Sequence, residues 1–206
     1  EAMARLRRES GNKRDYLYSR PWYVIIGPPG AGKTTALLNS GLRFPFSDSA
    51  VKGVGGTRNL DFWFADEAVM VDTAGRYTTQ DSAAEQDRKG WPGFLVVLRR
   101  NRPLQPINGI LVAIGLDTLL TSDVAAIDHH ADIIRRRLAE LKEGLEITAP
   151  VYLVFTKSDL VAGFAEFFDD LDVEQRRAVL GHTFDVATPA PDAAALAGAF
   201  DEIAEA

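Results

Sequence analysis

The 206-residue sequence has no cysteine, which excludes disulfide frameworks and thiolate metal sites. Histidine is scarce, at three residues, and two of them are the neighbours His129 and His130. Adjacent residues on a helix point about 100° apart, so this pair, with Asp128 and Asp132, is expected on a solvated face and not around one metal ion. Long apolar runs are missing too. The longest, Ile110 to Ile114 and Val151 to Phe155, are of strand length and far below the ~20 residues of a membrane span. No secretory signal is visible. An excess of positive charge is also lacking: the net charge is -6 and the pI about 5.1, which disfavours a sequence-independent nucleic-acid binder. The run Arg135-Arg136-Arg137 is accordingly expected on a solvated helix face or at a partner contact.

What remains is ordinary globular composition, 46% hydrophobic and 25% charged, enough for one substantial core. Charge is unevenly spread. Residues 1–20 carry six basic and three acidic side chains, whereas the 22 residues from Asp185 onward carry five acidic and none basic. The basic lead reads as a solvated helix or as a segment beside an anionic membrane leaflet. The start at Glu1-Ala2-Met3 suggests a fragment of a longer protein, with room for membrane spans outside it.

Along the chain, Trp22 to Ile26 reads as a strand running into the loop Gly27-Pro28-Pro29-Gly30, and a helix follows from Lys33 to near Gly41. Residues 42–59 are loop-like. Leu60 to Phe64 and Ala68 to Val71, separated by Ala65-Asp66-Glu67, give a hairpin in which Phe62, Trp63 and Phe64 pack. Trp91, Phe94, Leu95 and Leu98 share a helical face. Residues 109–114 read as a buried strand. Ile127, Ile134, Leu138 and Leu141 mark an amphipathic helix ending at Gly144, and Pro150 opens another buried strand through Phe155. The apolar strands, together with the match of residues 27–34 to G-x-x-x-x-G-K-[ST] between a strand and a helix, make the expected fold α/β, a P-loop NTPase (GTPase-like) three-layer sandwich with a mostly parallel sheet and one antiparallel edge strand. The expected division is a basic lead at 1–20, the NTPase domain at 21–184, and an Ala-rich acidic tail or following helix at 185–206.

The chemistry begins at Gly27, Pro28, Pro29, Gly30, Ala31, Gly32, Lys33 and Thr34, which match G-x-x-x-x-G-K-[ST] between a strand and a helix. Glycines at 27, 30 and 32 permit positive φ, so successive N–H groups can form an anion nest at the helix's positive end. Lys33 supplies a cation for the β/γ-phosphates, Thr34 a hydroxyl for Mg²⁺, and Thr35 a further contact. Asp72 ends the apolar strand Val69-Met70-Val71 and opens D-T-A-G, the natural place for a carboxylate that holds Mg²⁺. Gly75 can offer its N–H to the γ-phosphate, and Thr57, after Gly55-Gly56, can complete the Mg²⁺ shell when that phosphate is present. Thr156-Lys157-Ser158-Asp159 follows a strand. Its Asp can accept from guanine's N1–H and exocyclic amine while the lysine stem lies along the base, favouring GTP/GDP over ATP/ADP.

The set P-loop, Thr57, D-T-A-G and T-K-S-D, in this order, resembles the translation-factor-like GTPases. That resemblance implies switch I, switch II and guanine-specificity roles for Thr57, Gly75 and Asp159. Three blocks resemble the TssM/IcmF family more closely: Trp22-Tyr23 with the P-loop, Asp66 to Asp81, and Arg102-Pro103 through Asn108-Gly109. The likeness runs from about residue 21 to about 182. It implies the cytoplasmic NTPase domain of a bacterial inner-membrane component of the type VI secretion system. The implied partners are TssL, TssJ and the baseplate, with membrane attachment through parts of the parent chain beyond this sequence. The basic lead fits a cytoplasmic juxtamembrane segment.

Arg76 stands where many small GTPases have a water-orienting Gln. It can steady transition-state charge if turned inward but cannot act as a base, and Gln80 is off position, so slow intrinsic hydrolysis, about 10⁻⁴ to 10⁻² s⁻¹, is expected. No clear fifth guanine-contact motif follows Asp159; Gly181-His182-Thr183 is the one candidate, which leaves ATP open. A nucleotide-stabilised scaffold is the competing function. A signal-recognition-particle GTPase is disfavoured because 45 residues between Gly27 and Asp72 leave no space for its insertion. A P-loop kinase is disfavoured because no lid-like Arg cluster follows the nucleotide motifs. Asp159→Ala is expected to erase a GTP-over-ATP preference in equilibrium titrations, and an unchanged ratio would remove the guanine assignment.

Overall fold

The structure is a computed structural model, and it describes residues 17–44, 60–73, 84–185 and 191–205. Its contacts divide into two units, residues 1–161 and 162–206.

The first unit is built on five strands: β1 (Trp22–Ile26), β2 (Leu60–Phe64), β3 (Val69–Thr73), β4 (Gly109–Gly115) and β5 (Val151–Thr156). They form one mixed sheet in the order β2-β3-β1-β4-β5. β1 pairs in parallel with β3 and β4, β4 pairs in parallel with β5, and β2 alone is antiparallel, returning through a turn closed by Ala65 N–H to the Ala68 carbonyl at 2.9 Å. The central strands β1, β3 and β4 are largely apolar because both faces are covered. One face carries α2 (Ala84–Asn101) and α4 (Val124–Leu145), whose Trp91, Phe94, Leu95, Leu98, Leu141 and Leu145 pack on Trp22, Val24, Ile26, Val69, Val71 and Val112. On the other face, Leu37 of α1 (Lys33–Leu38) joins Ile25, Trp63, Met70 and Ala113, with Phe44 edge-on to Trp63 at 5.6 Å. Burial of residues 22, 24 and 26 toward one face and of Ile25 toward the other is the period-2 alternation of a central strand. A short helix, α3 (Leu116–Thr121), follows β4 directly.

Two expectations need correction. Gly144 does not stop α4, which runs to Leu145 and closes at Glu146 in the left-handed conformation (φ 53°). Gly144 is glycine because α2 lies close by: an added Cβ would stand 2.7 Å from Leu95 Cδ1. Nor is β5 buried, since Val151, Tyr152, Leu153 and Phe155 are exposed; among the described residues it is the sheet's edge, with β4 as its one strand partner. A continuous apolar run does not distinguish a central strand from an edge strand.

At the amino-terminal end of the central strands, one buried arginine ties the chain before β1 to the link between α2 and β4. Arg102, just past α2, donates to the Leu17 carbonyl, to the Gln105 carbonyl at 3.1 Å and to Asn108 Oδ1 at 3.4 Å. Its guanidinium carbon lies 4.6 Å from the Trp22 ring centroid and 4.9 Å from that of Tyr18. Burial lowers Arg102 to about 10, with Tyr18 acting in the opposite direction, so it stays charged at neutral pH. Asn108 Oδ1 also accepts from Trp22 N–H at 2.8 Å, and Asn108 N–H donates to the Trp22 carbonyl at 2.7 Å. Asn108 thereby sets the register in which β4 enters beside β1.

The second unit holds α5 (Phe164–Phe167), a 3₁₀ turn at Gln175–Arg177 and α6 (Ala193–Glu205). Ala199 is buried, Phe167, Val179 and Phe200 are exposed, and His182 Nδ1 lies 2.7 Å from Glu202 Oε2.

Asn108→Ala strips the Trp22 amide and Arg102 of a shared, half-buried acceptor. It should cost about 1–3 kcal/mol, a melting-point fall of roughly 3–10 °C in thermal denaturation. An unchanged midpoint would show that this junction contributes nothing net.

Candidate functional site

The carboxyl end of β1 delivers the chain to Gly27, which passes so close to β4 that any Cβ would strike the Ala113 carbonyl oxygen. Glycine is therefore required there by sterics and by its φ of 153°. Gly30 (φ 75°) and Gly32 (φ 73°) sit in the left-handed region, and Gly32 is the N-cap residue of α1. This is the backbone pattern that turns successive amides toward a common centre. Pro28 and Pro29 stiffen the first half of the loop, and the Pro28 carbonyl accepts from Ala31 N–H at 3.2 Å. Thr35 is exposed on the first turn of α1, and its carbonyl accepts from Asn39 N–H at 3.0 Å.

Lys33 is 7% exposed, and its Nζ donates to the Gly27 carbonyl at 2.8 Å and to the Pro28 carbonyl at 3.0 Å. The lysine thus arches over the loop with its ammonium at the loop's mouth. Burial pushes this ammonium below the usual lysine range, and the Asp72 carboxylate pulls it partly back. Asp72, fully buried in β3, accepts from the Thr34 hydroxyl at 2.7 Å through Oδ2. Its neighbour Thr73 anchors β3 to β1 by donating to the Ile25 carbonyl at 2.8 Å. Strand pairing of Asp72 with Ile25 puts the carboxylate one residue short of where β1 ends.

The T-K-S-D segment meets the same loop. The Thr156 hydroxyl donates to the Ala31 carbonyl at 2.7 Å, and its Cβ would be 3.5 Å from a Cβ on Gly32. Lys157 adopts the left-handed conformation (φ 59°) and caps the 3₁₀ turn Ser158–Leu160. Its Nζ donates to Asp117 Oδ2 at 2.6 Å, while Asp159 is exposed on that turn.

The structure therefore brings together Gly27 through Thr35, Asp72, Thr156 and Lys157, with Asp159 two residues beyond Lys157. Thr57, Gly75 and Arg76, along with Gly55, Gly56 and Gln80, lie outside the described residues. His182, in the second unit, pairs with Glu202. His129 and His130 stand on α4 with ring centroids 6.5 Å apart, and among the described residues no cluster of three or more His, Asp or Glu could hold a metal ion. Asp117 belongs to none of the motifs. Sequence reasoning missed it: it lies two residues past β4, at the carboxyl ends of the strands where ligands of parallel α/β folds bind, but a lone carboxylate there forms no pattern.

The described part is thus an α/β domain whose loops converge at the carboxyl ends of β1, β3, β4 and β5. The sequence pattern of the IcmF-related N-terminal domain matches residues 84–206, and the chain belongs to the TssM/IcmF family. The chain is 54% identical over 190 residues to the type VI secretion system component TssM1 of Pseudomonas aeruginosa (strain PAO1). That alignment covers 89% of this chain and 17% of the relative, so the chain spans about a sixth of the relative's length. A solved structure, the bacterial selenocysteine-specific elongation factor EF-Sec, aligns over 73% of this chain and 28% of its own at 12% identity and a TM-score of 0.32, too low to carry an argument. No helix among the described residues is long and apolar enough to cross a membrane.

The lowered Lys33 pKa has a stability consequence of definite sign. In the window between its folded value and the ordinary lysine value of about 10.4, the unfolded chain binds more of this proton than the folded one. Stability carried through Lys33 therefore rises with pH inside that window. The wild-type-minus-Lys33→Met difference in unfolding free energy, from urea melts at about pH 7 to 10, should climb with pH. A flat or falling difference would mean the ammonium is not penalised by burial.

Proposed function

We propose that this domain binds a nucleoside triphosphate with Mg²⁺, GTP ahead of ATP, at the loop Gly27–Thr34, and hydrolyses it slowly. The carrying observation is the 2.7 Å bond between the Thr34 hydroxyl and the buried Asp72 carboxylate, beside the Lys33 ammonium. Two hard oxygen donors, one on the first turn of α1 and one near the end of β3, next to a loop with three positive-φ glycines, suit a Mg²⁺-polyphosphate. Thr34 and Asp72 would hold the ion, which supplies charge neutralisation for the β- and γ-phosphates when bound. The loop amides and Lys33 would take the phosphate oxygens, and Asp159 the edge of the base. In this reading the fold is of the P-loop NTPase type. Thr57, Gly75 and Arg76 are proposed to respond to the γ-phosphate, which makes the domain a conformational switch.

The named relative is a type VI secretion component, which supports a role in that apparatus. We place the domain on the cytoplasmic side of an inner-membrane protein, with membrane-complex partners that include TssL, TssJ and the baseplate.

Lys33→Ala should lower nucleotide affinity by about 100-fold or more in titrations of the purified domain with GTP and ATP, each with and without Mg²⁺. Wild-type affinity in that variant, or binding indifferent to Mg²⁺, would remove the site.

A further inference from the structure

Lys157 is handled by more of the structure than a residue that merely lies along a base requires. It is one of only two non-glycine residues with positive φ among those described, the other being the helix-capping Glu146. A left-handed lysine is strained and persists where its surroundings over-determine it. Three of those surroundings are visible. Thr156 ties the loop to Ala31, the Lys157 carbonyl accepts from Leu160 N–H at 3.1 Å, and the ammonium is held by Asp117. The Asp117 contact crosses from the end of β4 to the end of β5. It also depends on Gly115: a Cβ there would strike Asp117 Oδ1 and lie 3.6 Å from Lys157 Cδ. The carboxylate thus folds back across a bare glycine to meet the lysine, and the stem runs over that same glycine toward the phosphate loop, where Lys157 Cγ would be 3.9 Å from a Cβ on Gly32.

Resting on the nucleotide reading above, we propose that Asp117 is a positioning residue for nucleoside recognition: by holding the Lys157 head, it fixes the lysine stem as a ready-made floor for the base. The physical gain is preorganisation. A free lysine would spend side-chain entropy on being ordered by the base, whereas one anchored at both ends is ordered beforehand. The pairing also neutralises the ammonium, so the floor offers methylenes to the ring and leaves Asp159, exposed on the next turn, as the loop's carboxylate for the base edge. The Lys157 ammonium holds the Asp117 carboxyl below the usual carboxylate range, in keeping with a standing pair.

The Asp117 carboxylate accepts from Lys157 and Thr118, so the prediction separates the two halves of the ligand. Dissociation constants for GTP and for inorganic tripolyphosphate, both with Mg²⁺, would be measured for the wild type, Asp117→Ala, the isosteric Asp117→Asn, Lys157→Met and the Asp117→Ala/Lys157→Met pair. Asp117→Ala should weaken GTP by roughly five- to tenfold and leave tripolyphosphate within about twofold; Asp117→Asn should show a smaller loss in the same direction. In the Lys157→Met background, Asp117→Ala should have no further effect, because Asp117 acts through the ammonium. Equal losses for both ligands, an unchanged GTP constant in both Asp117 variants, or a full Asp117 effect without the lysine would each overturn the assignment. A wild type that binds tripolyphosphate but discriminates no base would overturn it while sparing the phosphate site; one that binds neither ligand would overturn both.

Discussion

The site depends on one close backbone approach, that of β1 to β4 at Gly27. The chain leaves the central strand against the Ala113 carbonyl, with no room for a side chain, and from there a short turn must reach the start of α1. Everything chemical follows from that turn. Because it is tight, Lys33 can reach back to the Gly27 and Pro28 carbonyls, and because α1 starts where it does, Thr34 faces the end of β3. A wider turn would separate the ammonium, the hydroxyl and the carboxylate, none of which has a reason to be buried alone.

The other end of the sheet shows why the strands are in register for this. Arg102, Trp22 and Asn108 interlock α2's exit, β1's entry and β4's entry with charge-assisted, stacked and backbone contacts. A slip of β4 by one residue would put its core side chains on the wrong face and would also shift Ala113 away from Gly27. The amino-terminal clamp and the carboxyl-terminal loop are thus two ends of one alignment, joined by the buried rows of β1 and β4. A buried arginine carries a desolvation cost that an apolar residue would avoid. What it does here, bonding the Leu17 and Gln105 carbonyls and the Asn108 side chain at once, an apolar side chain cannot do.

How much of this was legible in the residues depended on range. The loop, α1, the hairpin and the central strands were readable because each is specified locally, by glycine spacing, by apolar runs and by turn residues. The convergence of Thr34 with Asp72 was readable as well, since a motif carries its spatial context with it. Contacts made across the sheet were not. The blocks Trp22-Tyr23 and Arg102 through Asn108 stood out as family features, yet nothing local announced that they touch. Gly144 read as a helix stop because glycine usually is one, and only the proximity of α2 explains it otherwise. β5 read as buried because its side chains are apolar, whereas burial is decided by neighbours the strand itself does not encode. Asp117 was invisible for the same reason: a single carboxylate after a strand has no pattern until the lysine it meets is placed beside it.

In the proposed reading, the site's own hydrogen bonds bear on whether the domain is a switch or a scaffold. Lys33 is already bonded to two carbonyls of its loop, and Thr34 to Asp72, so a Mg²⁺-polyphosphate must exchange these bonds rather than merely fill unmet ones. Such exchange lowers the net gain per contact, because protein–protein bonds are given up for protein–ligand ones. Before any exchange, Lys33 Nζ and Asp72 Oδ2 have hydrogen-bond partners inside the protein. Groups that can be satisfied in two ways suit two alternative arrangements of similar free energy, which is what a ligand needs if its binding is to shift a conformational equilibrium. In the proposed reading, the bonds at Lys33 and Thr34 are ones that a switch would exchange on binding its ligand.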